Sequence, residues 1–183
     1  LYSKPYHGED SGGDVHYVSS CATGRITRLL VADVSGHGLG VSESAAKLRG
    51  LMRRYINFID QTRFIKSMNE AFMNLSEHGM FATAVVISFF APTNHLSLSN
   101  AGHPAPMLYR AKTKTWTLLE HDKPLDKRFR QRVERKAEGG EPANLPLGVI
   151  DLADYEQFGL TLSVGDMVLC YTDSLIESHD TDG

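Results

Sequence analysis

The alternation of hydrophobic and polar residues predicts that the chain begins with a β-hairpin. Strands are expected at residues 15–21 and 26–34, and a turn at residues 22–24 separates them. The second strand is almost continuously apolar, which is typical of a strand that is covered on both faces. This pattern places the hairpin inside a layered fold.

Two helices and a longer series of strands are expected after the hairpin. Apolar residues recur at helical spacing through residues 45–59 and 64–75, Thr62 is predicted to cap the second helix, and the helix is predicted to end at residues 78–79. Because the helices follow one another and do not alternate with the strands, the order indicates an α+β layered domain. Further strands are predicted at residues 81–90, 96–100, 107–109, 115–119, 155–162 and 167–171.

Composition narrows the class of protein without identifying it. The 183 residues suit a single domain, and the net charge of −3 excludes a generally basic nucleic-acid binder. The longest mainly apolar run, residues 80–92, is too short to cross a bilayer, so no membrane insertion is expected. Cys21 and Cys170 lie in apolar, strand-like runs, and both are predicted to be buried thiols in a reducing compartment.

Three aspartates stand at the ends of predicted strands. Asp14 follows two glycines at the mouth of the first strand, Asp33 ends the second, and Asp173 ends the last. Carboxylates at such positions are costly unless something positive faces them, and hard divalent cations prefer oxygen ligands. Each aspartate also has a structural explanation, because Asp14 suits a glycine turn, Asp33 a turn cap and Asp173 a helix cap. The glycine-rich turn at residues 35–40 does not fit a phosphate-binding loop.

Five short motifs, taken together and in order, resemble the SpoIIE/RsbU-type branch of the metal-dependent protein serine/threonine phosphatases, the PPM superfamily. The resemblance extends from about residue 8 to residue 177. The motifs are Gly-Gly-Asp at 12–14, Asp-Val-Ser-Gly-His-Gly at 33–38, Asn-Ala-Gly-His-Pro at 100–104, Leu-Pro-Leu-Gly at 145–148, and Gly-Asp at 165–166 followed by Tyr-Thr-Asp at 171–173.

The resemblance implies a four-layer α-β-β-α sandwich of two mainly antiparallel sheets flanked by helices, with two Mn²⁺ or Mg²⁺ ions at one end. The implied activity is hydrolysis of phosphoserine or phosphothreonine on a cytoplasmic regulatory protein, typically a small anti-sigma-factor antagonist. Carried over by position, Asp33 bridges the two ions, Asp14 and Asp173 each serve one of them, and the Val34 carbonyl is a further ligand. Two such ions activate a shared water, so no protein nucleophile is needed.

Two histidines lie in the matching motifs. His37 has a suitable pKa to protonate the leaving seryl oxygen, although a role in hydrogen-bonding the glycine-rich turn is the slightly favoured alternative. His103 is expected to be structural and to fix the turn before Pro104.

The sequence departs from the family pattern at three places. Ser174 replaces the usual glycine after the last aspartate, and Tyr17 stands where a second acidic residue is common. The family also has a further aspartate on a last strand, and Asp180 and Asp182 come too early to supply it. We therefore expect weak or partial metal occupancy in this chain. A pseudophosphatase that binds a phosphorylated partner remains the alternative function, and a small-phosphoester hydrolase is a third.

The expected domain organisation is a single phosphatase domain over residues 1–183, truncated at its C-terminus and cut from a longer signalling protein in which a sensor domain can precede it. Residues 121–144 form a charged variable segment. Its default interpretation is a solvated surface, and the alternative is a docking surface for an acidic protein partner.

Overall fold

The structure is a computed structural model, and it describes residues 12–36, 39–75, 79–120, 144–151 and 153–175. The described elements, in chain order, are β1 Asp14–Ser20, β2 Ile26–Val34, α1 Leu39–Tyr55, α2 Gln61–Leu75, β3 Ala82–Phe90, β4 His95–Ala101, β5 Met107–Arg110, β6 Thr115–Leu118, β7 Phe158–Thr161 and β8 Met167–Leu169.

The strands form two antiparallel sheets. The larger sheet has the order β1-β2-β3-β4-β7, and the smaller has the order β6-β5-β8. Since β7 and β8 follow one another in sequence but belong to different sheets, the last described strands join the two layers. The predicted α+β class, with two antiparallel sheets and two helices, is confirmed.

The two faces of the larger sheet support separate cores. In β2, Leu30, Ala32 and Val34 belong to a core that includes buried residues of α1 and α2. The alternate residues Leu29 and Val31 pack against the second core, which includes residues of the smaller sheet. Both described α-helices therefore cover one face of the larger sheet, and its other face is turned toward the smaller sheet.

Two local predictions were wrong. α2 begins at Gln61, and the residue that caps it is Asp60, whose Oδ1 accepts a hydrogen bond from the Arg63 backbone N–H at 2.8 Å. Thr62 already lies in the first turn of α2, so it cannot be the cap. Cys21 is exposed because it belongs to the β1–β2 turn and not to the strand.

The structure tests one further expectation, and two others concern residues outside the described ranges. Cys170 is partly buried against the core between the sheets. The predicted end of α2 at residues 78–79 includes His78, which lies outside the described residues, and so does most of the charged segment 121–144. Within the described ranges, none of the helices has the length and apolar character needed to cross a bilayer.

Candidate metal centre

A row of polar residues crosses the end of the larger sheet on the face toward the smaller sheet. Asp14 on β1 lies opposite Asp33 on β2, and Asp33 lies opposite Thr83 on β3. Residues that are directly opposite in antiparallel strands project from the same face. The hairpin register therefore brings Asp14 and Asp33 side by side, although 19 positions separate them in sequence (33 − 14).

The smaller sheet contributes the segment that follows β8. The Thr172 hydroxyl donates a hydrogen bond to Oδ2 of Asp14 at 3.1 Å, which joins the two sheets directly. Asp173 comes next and starts a short 3₁₀ turn, Asp173–Leu175, at an exposed position. Asp173 is therefore placed at the open edge of the acidic row.

The surroundings of Asp14 disfavour its charge. Burial raises the pKa of the Asp14 carboxyl, the hydrogen bond from Thr172 acts in the opposite direction, and the nearby negative charge of Asp173 raises the pKa further. His16 partly opposes this increase. A carboxylate that is desolvated beside a second carboxylate is stabilised when a cation binds between them.

Gly13 keeps a space open beside two oxygen atoms. A Cβ atom at this position would lie 2.6 Å from the Val34 carbonyl oxygen and 2.7 Å from Oδ1 of Asp33. Both oxygens therefore border the same gap, and only glycine leaves that gap free. The Val34 backbone N–H donates to the Gly13 carbonyl at 3.1 Å, which fixes this approach.

His103 lies at the other end of the polar row. Its Nδ1 is 2.9 Å from the Thr83 hydroxyl oxygen, and the side chain of Asn100 hydrogen-bonds both the backbone N–H and the carbonyl of His103. Burial lowers the pKa of His103 to about 4, although the Tyr171 carbonyl and the charge of Asp173 favour the protonated ring. The imidazole is therefore neutral near pH 7.

The structure brings the predicted ligand residues to one end of the sandwich. Asp14, Asp33 and the Val34 carbonyl are contributed by the first hairpin, and Asp173 by the segment after β8. In the part of the chain that the structure describes, no three His, Cys, Asp or Glu side chains are already gathered around a single point suited to a metal ion. His37 lies outside the described residues, so its predicted role is untested.

Sequence analysis missed two polar residues at this end of the sheet. Thr172 is the contact between the sheets, and its position beside Asp173 was the available signal. Thr83 gave no signal, because a single threonine in an apolar run is ordinary in a strand.

Solved structures share this architecture. The RsbU and RsbW domains of Rv1364c from Mycobacterium tuberculosis align with a TM-score of 0.73 and 24% identity over 94% of this chain and 42% of that chain. The PP2C phosphatase domain of SpoIIE from Bacillus subtilis, solved with a fragment of its regulatory domain, aligns with a TM-score of 0.65 and 17% identity over 90% of this chain and 42% of that chain. RsbX in complex with magnesium aligns with a TM-score of 0.68 and 19% identity over 95% of this chain and 72% of that chain.

These likenesses define the fold as that of a PP2C-type phosphatase domain, and the chain spans less than half the length of the first two solved chains. No curated protein matches the sequence. The profile of the family described as Stage II sporulation protein E (SpoIIE) matches residues 23–125 and 128–183. The chain therefore belongs to the SpoIIE family of PPM-type phosphatases.

Proposed function

We propose that this chain hydrolyses phosphoserine or phosphothreonine on a regulatory protein with the help of two divalent cations, Mn²⁺ or Mg²⁺. The proposed ligands are Asp14, Asp33, the Val34 carbonyl and Asp173. The observation that carries the proposal is the hydrogen bond from Thr172 to Asp14, because it brings acidic segments of both sheets to one place.

The chemistry of these residues suits hard cations. Three carboxylates and a backbone carbonyl offer oxygen ligands alone, which is the donor set that Mg²⁺ and Mn²⁺ prefer. The raised pKa of Asp14, caused first by burial and increased by Asp173, shows a local excess of negative character. The gap beside Gly13 gives two of the proposed oxygen ligands a common opening.

Each residue of the centre has a distinct task in the proposed mechanism. Bound divalent ions lower the pKa of a water molecule and neutralise the phosphoryl oxygens. Asp33 occupies the middle of the row and would help to hold the ions, while Asp14, a second residue that would hold them, is oriented by Thr172. His37 is the proposed donor of a proton to the leaving seryl oxygen.

The proposed substrate is a small phosphorylated regulatory domain of the anti-sigma-factor antagonist type, and the proposed setting is the cytoplasm. The family resemblance supports this class of substrate, and a similar solved chain carries an RsbU domain together with an RsbW domain. Residues 1–183 are proposed to form one phosphatase domain, which includes the charged segment 121–144. Neither nucleic acid nor a membrane is a proposed partner.

The decisive experiment measures Mn²⁺-dependent phosphate release from a phosphorylated antagonist domain. Asp33→Asn and Asp173→Asn are each expected to abolish release, because each removes a charged ligand while preserving side-chain size. Asp151→Asn is the matched control, since Asp151 is an exposed aspartate whose side chain lies outside the acidic row. Activity that survives both ligand substitutions would contradict the proposal.

The same assay separates the alternatives. An inactive parent chain that still binds a phosphopeptide identifies a pseudophosphatase. Faster release from small phosphoesters than from the phosphoprotein identifies a different metal-dependent hydrolase. Chelation by EDTA followed by restoration with Mn²⁺ or Mg²⁺ shows which ion supports turnover.

A further inference from the structure

We propose that His103 is a positioning residue of the metal centre, which holds the segment bearing Asp173 against β3 by bridging Thr83 to residues 171–173. This inference rests on the proposed function, because it assigns His103 to the same centre. It concerns a residue that sequence analysis treated as part of a turn.

The backbone of His103 is fixed before its ring makes any contact. The Asn100 side-chain amide donates to the His103 carbonyl at 2.8 Å, and the His103 N–H donates to Oδ1 of Asn100 at 2.7 Å. Gly102 precedes it with φ of +67°, and a Cβ atom there would lie 2.6 Å from Pro146 Cγ. The direction in which the imidazole leaves the chain is therefore set by its neighbours.

One ring nitrogen is tied to the acidic row. Nδ1 lies 2.9 Å from the hydroxyl oxygen of Thr83, which is the cross-strand neighbour of Asp33. The His103 residue is only 5% exposed, so water does not compete effectively for this contact. The ring is thus anchored to the larger sheet at the position next to a proposed metal ligand.

The other ring nitrogen faces the smaller sheet. Nε2 is buried and has no hydrogen-bond partner of good geometry among the described residues. The Tyr171 carbonyl and the Asp173 carboxylate both lie near enough to stabilise a protonated ring, and both accept hydrogen bonds. The tautomer with its proton on Nε2 suits these acceptors and leaves Nδ1 to accept from the Thr83 hydroxyl.

These contacts make His103 a second residue, besides Asp14, that holds residues 171–173. Thr172 is held by Asp14, and Tyr171 faces His103. Without the imidazole, the segment loses its attachment at Tyr171 and keeps the contact between Thr172 and Asp14, which is itself a proposed ligand. Loss of a group that orients a metal ligand typically lowers metal affinity by about 10–100-fold.

The test is a double-mutant cycle on Mn²⁺ affinity, measured by calorimetry without substrate. His103→Ala is expected to weaken Mn²⁺ binding about tenfold in the parent chain. In the Asp173→Asn background the same change is expected to have less than about a twofold effect, because the ligand that His103 positions is already lost. Equal effects in the two backgrounds overturn the inference.

Conservative variants keep the test valid if His103→Ala does not fold. His103→Gln retains an N–H donor near the position of Nε2 and is expected to bind Mn²⁺ more tightly than His103→Asn, whose shorter amide reaches only the position of Nδ1. Equal affinities for these two variants overturn the inference. His95→Ala, at the exposed far end of β4, is the control and is expected to leave the affinity unchanged.

The experiment distinguishes this inference from the proposed function. Coupling between His103 and Asp173 in a chain that binds Mn²⁺ but releases no phosphate supports the positioning role and contradicts the phosphatase. Additive effects of the two substitutions in a chain that releases phosphate support the phosphatase and contradict the positioning role of His103. A parent chain without measurable Mn²⁺ binding overturns the positioning role, since no centre then exists for His103 to organise.

Discussion

The two faces of the larger sheet differ in the hydrogen-bond partners that they offer to a charged side chain. On the helix side, the buried guanidinium of Arg28 donates to the carbonyls of Ile56 and Phe58 at 2.7 and 2.8 Å and to the Ser88 hydroxyl at 2.9 Å. It also lies 5.1 Å from the centre of the Phe64 ring. Burial lowers the pKa of Arg28, but three neutral acceptors contact its guanidinium, and these contacts join α1, α2 and the sheet.

On the opposite face, Asp14 has a different environment. The hydrogen bond that Asp14 accepts from Thr172 comes from a neutral hydroxyl, and a second carboxylate, Asp173, lies nearby. Burial raises the pKa of the Asp14 carboxyl, and His16 offsets this increase only in part. The comparison teaches that a buried charge with several hydrogen-bond acceptors joins parts of the fold, whereas a poorly satisfied carboxylate is a candidate position for ligand binding.

The largest expected effect concerns the acidic face. Asp33→Asn is expected to lower Mn²⁺-dependent turnover by at least about 1,000-fold, since the electrostatic stabilisation that a metal ion provides is worth several kcal/mol. Urea denaturation of the metal-free variant is expected to show little change in stability. If the variant unfolds and loses activity in parallel, Asp33 has a structural role, and the contrast with Arg28 is wrong.

On the helix face, Arg28→Met is expected to lower stability and to leave turnover unchanged. Loss of the guanidinium leaves the carbonyls of Ile56 and Phe58 without their donor, at about 1–3 kcal/mol for each buried group. We expect the free energy of unfolding to fall by about 2–5 kcal/mol, measured by urea denaturation. Turnover per folded molecule should match the parent, and a specific loss of kcat would contradict the structural role.

Gly13→Ala tests the gap beside Asp33 and Val34. The added Cβ would lie 2.6 Å from the Val34 carbonyl oxygen, so we expect destabilisation of about 1–3 kcal/mol together with weaker Mn²⁺ binding. Gly12→Ala is the matched control, because a Cβ at that position meets nothing within 4 Å. Thermal melts and calorimetry of both variants, compared with the parent, measure the two effects. Identical behaviour of the two variants would refute a special role for the gap.

The smallest effect is a pH dependence of the metal-free chain. Because the folded-state pKa of Asp14 is raised, the folded protein holds this proton more tightly than the unfolded chain does, and stability falls as pH rises through the raised pKa. Asp14→Asn is therefore expected to stabilise the metal-free protein at pH 7 by no more than about 1 kcal/mol, since the residue is only partly buried. The gain should disappear at low pH, below the unfolded-state pKa. Urea denaturation across this pH range measures the gain in stability. A gain that persists in acid would show that it does not come from the ionisation of Asp14.

Sequence patterns predicted most of the fold because they report burial directly. The almost continuous apolar run of β2 gave its bounds, Ile26–Val34, since one set of alternate residues meets the helices and the other meets the second sheet. Errors arose where the local pattern does not determine the outcome. Asp60 and Thr62 are both good capping residues, and only the backbone geometry selects Asp60.

The candidate site was less accessible from the sequence. Periodicity placed Asp14, Asp33 and Asp173 at strand ends, but only the family resemblance indicated that they converge. The bond between Thr172 and Asp14 depends on how two sheets pack, and no local pattern encodes that packing. Arg28 was overlooked for the same reason, because its acceptors are 28 and 30 residues away at Ile56 and Phe58.

The contact between Asp14 and Thr172 also has a consequence during synthesis on the ribosome. The two residues are 158 positions apart, and a ribosome that adds about 5–20 residues per second needs roughly 8–32 s to make the intervening chain. During that interval the first hairpin exists without its counterpart from the smaller sheet. A nascent chain therefore lacks this contact between the two sheets until almost the whole described polypeptide has been translated.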